Sequence, residues 1–267
     1  MASTSTEQWR EAEAWRALLT TPRSYRGLLL AVATFAIMAF SAAVLLVVAA
    51  ITLFRARRLY SEVLARWTAR MILHLWGVRV VVHQDKPFPR TQTVYISNHT
   101  STLDVVLLTG LGLPSTRFFL SGFLRKLLPL GVISTLMGTF HTPLQTDRPA
   151  RVRCFQRAER FLRKTGESVY LSPEGQRITT GRIGHFNKGA FHLATNLRVP
   201  IVPLYIDVPP EADPGLGYEA RAGTVHVYVL SPIRTDHWRL EDLERNKEMV
   251  RERFVEFQRT LRGAMDA

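Results

Sequence analysis

Residues 97–104 read SNHTSTLD and follow the short apolar run TVYI. The stretch places His99 five residues before Asp104, with Asn98 before it and three hydroxyl side chains between the two. An imidazole beside a carboxylate can act as a general base. The carboxylate accepts a hydrogen bond from one ring nitrogen and fixes the tautomer, and the other nitrogen takes a proton from a hydroxyl. The spacing alone does not decide this. His237 and Asp242 repeat it in HWRLED, where the acid falls in the first turn of a helix and the helix dipole accounts for it. Context separates the two cases. His99 leaves a strand and leads into the apolar stretch VVLLTGL, and loops at strand ends are where α/β sheets carry chemistry. Asn98 and Ser101, with Ser97 and Thr100, are expected to support this loop by satisfying its backbone and capping the next helix.

A second cluster, LSPEGQR at 171–177, also leaves a strand, SVYLS. Pro173 stiffens the exit and Gly175 permits close backbone approach. Glu174 and Arg177 bring opposite charges into one tight loop. The plain reading is a surface turn with an ion pair. The functional reading gives Arg177 to a phosphate, which its planar fork suits. Arg148 and Lys188 are further cationic candidates. His185 and His192 stand seven apart, not the four that would align two ligands on a helix, so no metal site is expected. Cys154 falls inside the helical pattern RPARVRCFQRAERFLRK and reads as packing. No nucleophile-elbow pattern, G-x-S-x-G, is present, so no acyl-enzyme intermediate is expected.

The elements that must hold these loops read as α/β. β-branched apolar runs at 78–83, 93–97, 116–121, 168–172, 201–207 and 224–231 are expected strands. Helical patterns at 103–112, 122–130, 149–165 and 187–197 lie between them. The alternation predicts a mostly buried mixed sheet flanked by helices, closed by a charged C-terminal helix from about 238 to 263 that packs on the domain. Residues 27–54 carry no charge. As one helix they would extend about 42 Å at ~1.5 Å per residue, more than the roughly 30 Å hydrocarbon core. A tilted span and a bent, embedded helix both fit. Residues 59–76 read as an amphipathic helix with interfacial Trp67 and Trp76. Basic residues flank the apolar run on both sides, Arg10, Arg16, Arg23 and Arg26 before it and Arg55, Arg57 and Arg58 after it. The positive-inside rule therefore gives no orientation, and a re-entrant course would satisfy both flanks. The expected organisation is an N-terminal tail with membrane-associated helices over 1–77 and a catalytic α/β domain over 78–267.

In this order the motifs resemble the 1-acylglycerol-3-phosphate acyltransferases of the glycerolipid acyltransferase superfamily. Asn98-His99 through Asp104 is similar to the family's first block, His-x4-Asp. The stretch from Gly138 to Asp147-Arg148 resembles a lengthened second block. Ser172-Pro173-Glu174-Gly175-Gln176-Arg177 resembles the third, usually Phe-Pro-Glu-Gly-Thr-Arg. Asn187-Lys188-Gly189-Ala190 and Val199-Pro200-Ile201-Val202-Pro203 are similar to the family's next segment and its fourth block. The apolar and amphipathic N-terminal helices resemble the family's membrane-docking hairpin. The likeness implies His99 as base and Asp104 as its orienter, with Glu174, Gly175, Gln176, Arg177, Arg148 and Lys188 around the acceptor and Asn98, Ser101 and Pro173 supporting the loops. It implies transfer of a fatty acyl group to lysophosphatidic acid, with acyl-CoA or acyl carrier protein as co-substrate and no bound cofactor, at the cytoplasmic face of a membrane. The pattern departs from the family at Gln176, at Ser172, and at Ser121-Gly122 where relatives often carry Lys. These positions surround the expected acceptor, so another lysophospholipid or a lyso-ornithine lipid stays open.

Charge agrees with an anionic partner. The chain of 267 residues has 35 Lys and Arg against 22 Asp and Glu, a formal charge of +13. Membrane lipids, a phosphorylated acceptor and an anionic donor all fit. A nucleic-acid binder is suggested by the charge alone. There is no finger, recognition-helix or aromatic-platform pattern, and such a binder leaves the apolar segment unexplained, so no nucleic-acid partner is expected. A catalytically silent, membrane-anchored lipid-binding protein is the other alternative from a different class, and His99, Asp104, Glu174 and Arg177 together argue against it. A single cysteine, Cys154, forbids an intrachain disulfide and suits a reducing compartment.

Overall fold

The computed structural model describes residues 24–178, 180–213 and 221–265. The expectations for the N-terminal tail, including Arg10, Arg16 and Arg23, lie outside the described residues. Helix α1 (Tyr25–Ile51) begins where the Ser24 hydroxyl accepts the Gly27 N–H at 3.0 Å. The chain turns through 52–58 into a π-helical turn (Leu59–Ala65) continuous with α2 (Arg66–Leu75). Then come β1 (Val78–His83), β2 (Val94–Ser97), α3 (Leu103–Leu111), β3 (Thr116–Ser121), a 3-10 turn (Gly122–Lys126), α4 (Leu130–Leu136), β4 (Phe140–Thr142) and α5 (Arg148–Thr165). The chain continues with β5 (Ser168–Leu171), α6 (Gly189–Leu197), β6 (Ile201–Asp207), β7 (Gly223–Val229), a second 3-10 turn (Leu240–Asp242) and α7 (Leu243–Met265).

The strands form one seven-stranded sheet in the order β1-β7-β6-β2-β5-β3-β4. Every neighbouring pair is parallel except β6 and β7. The expected mixed sheet is therefore observed, and its central strands β2 and β5 are buried along their whole length. Alternation along each strand feeds two cores. Tyr95, Phe118 and Tyr170 face one, with α1, α2, α3 and α4 over them. Val94, Ile96, Phe119, Val169 and Leu171 face the other, under α5, α6 and α7. Val250 and Phe254 are fully buried there, so the C-terminal helix packs on the domain as expected.

Two segments differ from the sequence reading. The helix expected at 122–130 is a short 3-10 turn, and a new helix begins at Leu130. Pro129 is the cause, since the residue before a proline is pushed out of the helical region. Strand β4 was not expected; three residues are too few to display alternation.

Helix α1 is, among the described residues, the one helix long and apolar enough to cross a membrane by length and composition. Only 28% of its most apolar window is buried, which is unlike the core helix of a soluble domain. Leu30, Ala42, Leu45 and Ala49 pack inward, while Leu29, Val32, Phe35, Phe40 and Val47 stay exposed. Polar contacts fix the hairpin. Trp76 Nε1 donates to Thr34 Oγ1 at 2.9 Å, and Thr68 Oγ1 donates to Ser41 Oγ at 2.8 Å. Arg57, just after α1, pairs with Glu167, which also holds Arg117 of β3.

Candidate active site

The parallel strands β2, β3 and β5 deliver their C-terminal ends, Ser97, Ser121 and Leu171, to one edge of the sheet. The loop after β2 carries His99. Its Nδ1 lies 2.7 Å from Asp104 Oδ2, in the first turn of α3. The same carboxylate oxygen accepts the backbone N–H groups of Thr100 and Ser101 at 3.1 and 3.2 Å. A buried acid thus closes the helix N-terminus and holds the imidazole in one act. The His99 side chain is 26% exposed and that of Asp104 2%, so the pair presents a reachable base on a buried support. With Nδ1 taken, Nε2 is the nitrogen left to meet a substrate proton.

The other residues of the loop are tied to the sheet and to the start of α3. Asn98 pairs through its amide with both backbone groups of Ile206 on β6, each at 2.8 Å, and so locks the loop to the sheet. Ser101 Oγ accepts the Leu103 N–H at 3.1 Å and donates to Asp213 at 2.6 Å. Tyr170 and Ser97 share a buried hydroxyl contact at 2.9 Å, and burial pushes the Tyr170 phenol well above its usual range.

The second loop folds directly onto the first. Glu174 Oε2 accepts the His99 backbone N–H at 2.6 Å, and the His99 carbonyl accepts the Ile178 N–H at 2.8 Å. Glu174 Oε1 takes the Gly184 N–H at 2.6 Å. Glu174 was expected at the acceptor. Both its oxygens are instead committed to backbone, it is 4% exposed, and it does not line the adjoining cavity. Its carboxylate is a brace for the His99 loop. Burial pushes its pKa up, against the pull of the two backbone donors. Asn187 Nδ2 ties the carbonyls of Pro173 and Glu174 at 3.1 and 3.0 Å. Gly175 has φ +69°, and a Cβ there would meet Asn187 Nδ2 at 2.8 Å, so this turn requires glycine on both counts.

His99 and Asp104 sit at the rim of a cavity of about 390 Å³. Phe119, Leu120, Phe123, Leu124, Leu144 and Phe155 give it an apolar wall. Gly175 and Gln176 reach it. Arg177 is half-buried in the same loop but does not line it, and neither does Arg148, exposed at the start of α5. Lys188 is turned to α7, with Nζ 2.9 Å from Glu244.

The profile of the acyltransferase family matches residues 79–207, which hold both loops. A chloroplastic 1-acyl-sn-glycerol-3-phosphate acyltransferase of Brassica napus is 32% identical over 185 residues, covering 67% of this chain and 52% of that protein. Residues 79–207 form an acyltransferase-family domain. The resemblance read from the motifs is thereby borne out. A 1-acyl-sn-glycerol-3-phosphate acyltransferase of Saccharomyces cerevisiae is 28% identical, over 72% of this chain and 66% of that one. The chain spans about half the length of the first curated relatives it matches. In fold, it is similar to the crystal structure of the 1-acyl-sn-glycerophosphate acyltransferase of Thermotoga maritima. The TM-score is 0.71 at 22% identity, covering 88% of this chain and 96% of that one.

In this acyltransferase-family domain the cavity adds a residue that the motifs did not single out. Arg151 lines it from α5, with Nη1 donating to the Pro143 carbonyl at 3.3 Å. Its signal was present in the sequence. Arg151, Phe155, Ala158 and Leu162 recur at helical spacing, and Ala158 and Leu162 are buried. A cation in the inward stripe of a helix is a marked position.

Proposed function

We propose that this protein moves a fatty acyl group from a thioester to the free hydroxyl of lysophosphatidic acid, forming phosphatidic acid and releasing a thiol. The observation that carries this reading is the His99–Asp104 pair, oriented through Nδ1 at the rim of an apolar cavity. The names of the relatives support the acceptor. His99 Nε2 takes the proton of the acceptor hydroxyl as its oxygen attacks the thioester carbonyl. The thiol leaves as the C–S bond breaks and recovers the proton from His99. Asp104 keeps the ring in place throughout, and such general-base help is typically worth about 10²–10⁴-fold. The aromatic and leucine wall suits the acyl chain. Arg151, at the cavity, and Arg177, in the loop braced by Glu174, are the guanidinium groups we assign to the acceptor phosphate.

The donor in this reading is acyl-CoA or acyl carrier protein. The exposed apolar face of α1 supports association with a membrane, and we assign the site to its cytoplasmic face, where such donors reside. The test is incubation of the purified protein in mixed micelles with labelled acyl-CoA or acyl carrier protein and a panel of lysolipids. Labelled phosphatidic acid is expected. Transfer only to lysophosphatidylcholine or to a lyso-ornithine lipid would overturn the acceptor. Lipid binding without any transfer would overturn the reaction.

A further inference from the structure

Arg66, Arg70 and His74 recur every four residues and so form one stripe along α2. They line a groove of about 560 Å³ whose apolar side is built from Val80, Val82, Phe88, Leu107 and Leu111. The groove shares no residue with the His99 cavity. The two lie at opposite ends of α3: Asp104 belongs to its first turn, whereas Gly110, Leu111 and Gly112 close the groove at its last.

Three observations make the stripe more than a solvated face. Arg66 Nε is buried without a hydrogen-bond partner, and its guanidinium lies so close to Gly112 that a Cβ there would come within 2.5 Å of Nε. Arg70 Nε is anchored on the Gly110 carbonyl at 3.1 Å. No carboxylate lines the groove among the described residues. Burial, and then the like charge of Arg70, lower the Arg66 pKa; an anion held between them would relieve the second effect. A free phosphate would satisfy the cations and leave the valine, leucine and phenylalanine side unused. The next stripe round the same helical segment exposes Val63 and Trp67, at 53% and 57%, as an interfacial helix does.

We propose that this groove binds an anionic glycerophospholipid of the membrane, its phosphate on Arg66, Arg70 and His74 and an acyl chain along Val80, Val82 and Phe88. The site stands apart from the acyl-transfer reading and holds whether or not that reading does.

The experiment uses the full chain in phosphatidylcholine vesicles containing phosphatidylglycerol with a diazirine in its acyl chain, with adducts mapped by mass spectrometry. Adducts are expected on Val80, Val82 or Phe88. Unlabelled phosphatidylglycerol should compete, and phosphatidylcholine and inorganic phosphate should not. Arg66→Gln with Arg70→Gln should weaken binding to phosphatidylglycerol vesicles about thirtyfold, at roughly fivefold for each basic residue. Arg153→Gln with Arg157→Gln, charge-matched on α5 over the other face of the sheet, should leave labelling of the groove intact. Labelling confined to α1, equal competition by phosphatidylcholine, protection by inorganic phosphate, or equal loss in the α5 variant would each overturn the proposal. Labelling of the parent protein decides the matter even if the Arg66 variant does not fold.

Discussion

Asp104 gathers three donors on one oxygen: the His99 ring and the backbone N–H groups of Thr100 and Ser101. Asp104→Asn keeps the size but replaces one acceptor by a donor, so the ring loses its fixed tautomer. We expect turnover to fall at least about a hundredfold with little change in melting temperature, the lower end of what a positioned base contributes. His237→Ala is the matched control and should leave turnover unchanged, because His237 is exposed and sits beside Asp236 on the surface. Glu174 has a different signature. Burial raises its folded pKa, so the folded state holds the proton to higher pH than the unfolded chain. Its contribution to stability is then fully present in acid and falls as pH rises from the ordinary carboxylate range through the raised folded value. The melting temperature of the parent relative to Glu174→Gln should decline across that window and then level off. His99 and Asp104 were legible because they lie five residues apart, where one loop runs into the first turn of α3. The bracing role of Glu174 was not, since its partner, the His99 N–H, is 75 residues away.

At the scale of elements, the N-terminal hairpin and the sheet share one core, with Leu45 of α1 and Tyr95 of β2 in the same cluster. Glu167 reinforces that union. It joins Arg57, just beyond α1, to Arg117 on β3, and the Arg117 guanidinium sits 4.0 Å from the Phe161 ring centre. All three charged side chains are mostly buried, at 12–14% exposure. Glu167→Gln would leave both guanidinium groups without a counter-charge, held only by a neutral amide and by their backbone acceptors, the Met137 and Gly138 carbonyls. Breaking such a buried pair costs about 3–5 kcal/mol, and urea unfolding should register a loss near the lower figure. The strands were legible because β-branched runs alternate with helical periods, and β1, β3 and β6 fall where the sequence puts them. The turn at 122–126 and the π-helical turn were not. Apolar spacing does not distinguish those tighter and wider windings from an α-helix over so few residues.

Across the whole molecule, only some of the cations behind the +13 charge meet a lined space. Arg151 does so at the His99 cavity and Arg66 with Arg70 at the α2 groove, whereas Lys188 is paired with Glu244 on the surface. The sequence marks cations but not which of them the fold turns inward. Arg177 tests the acceptor assignment: Arg177→Ala should raise the acceptor KM roughly tenfold or more and leave the donor KM unchanged, the size of a charge-assisted phosphate contact. A donor-only defect in initial-rate kinetics would remove Arg177 from the acceptor. The central claim is that His99, oriented by Asp104, removes the acceptor proton. Its most direct test is phosphatidic acid formation from lysophosphatidic acid and labelled acyl thioester, compared between the parent and a folded, micelle-bound His99→Ala variant. The expected result is robust product from the parent and a loss of about 10²–10⁴-fold in the variant. Activity of the variant within a few-fold of the parent would contradict the account.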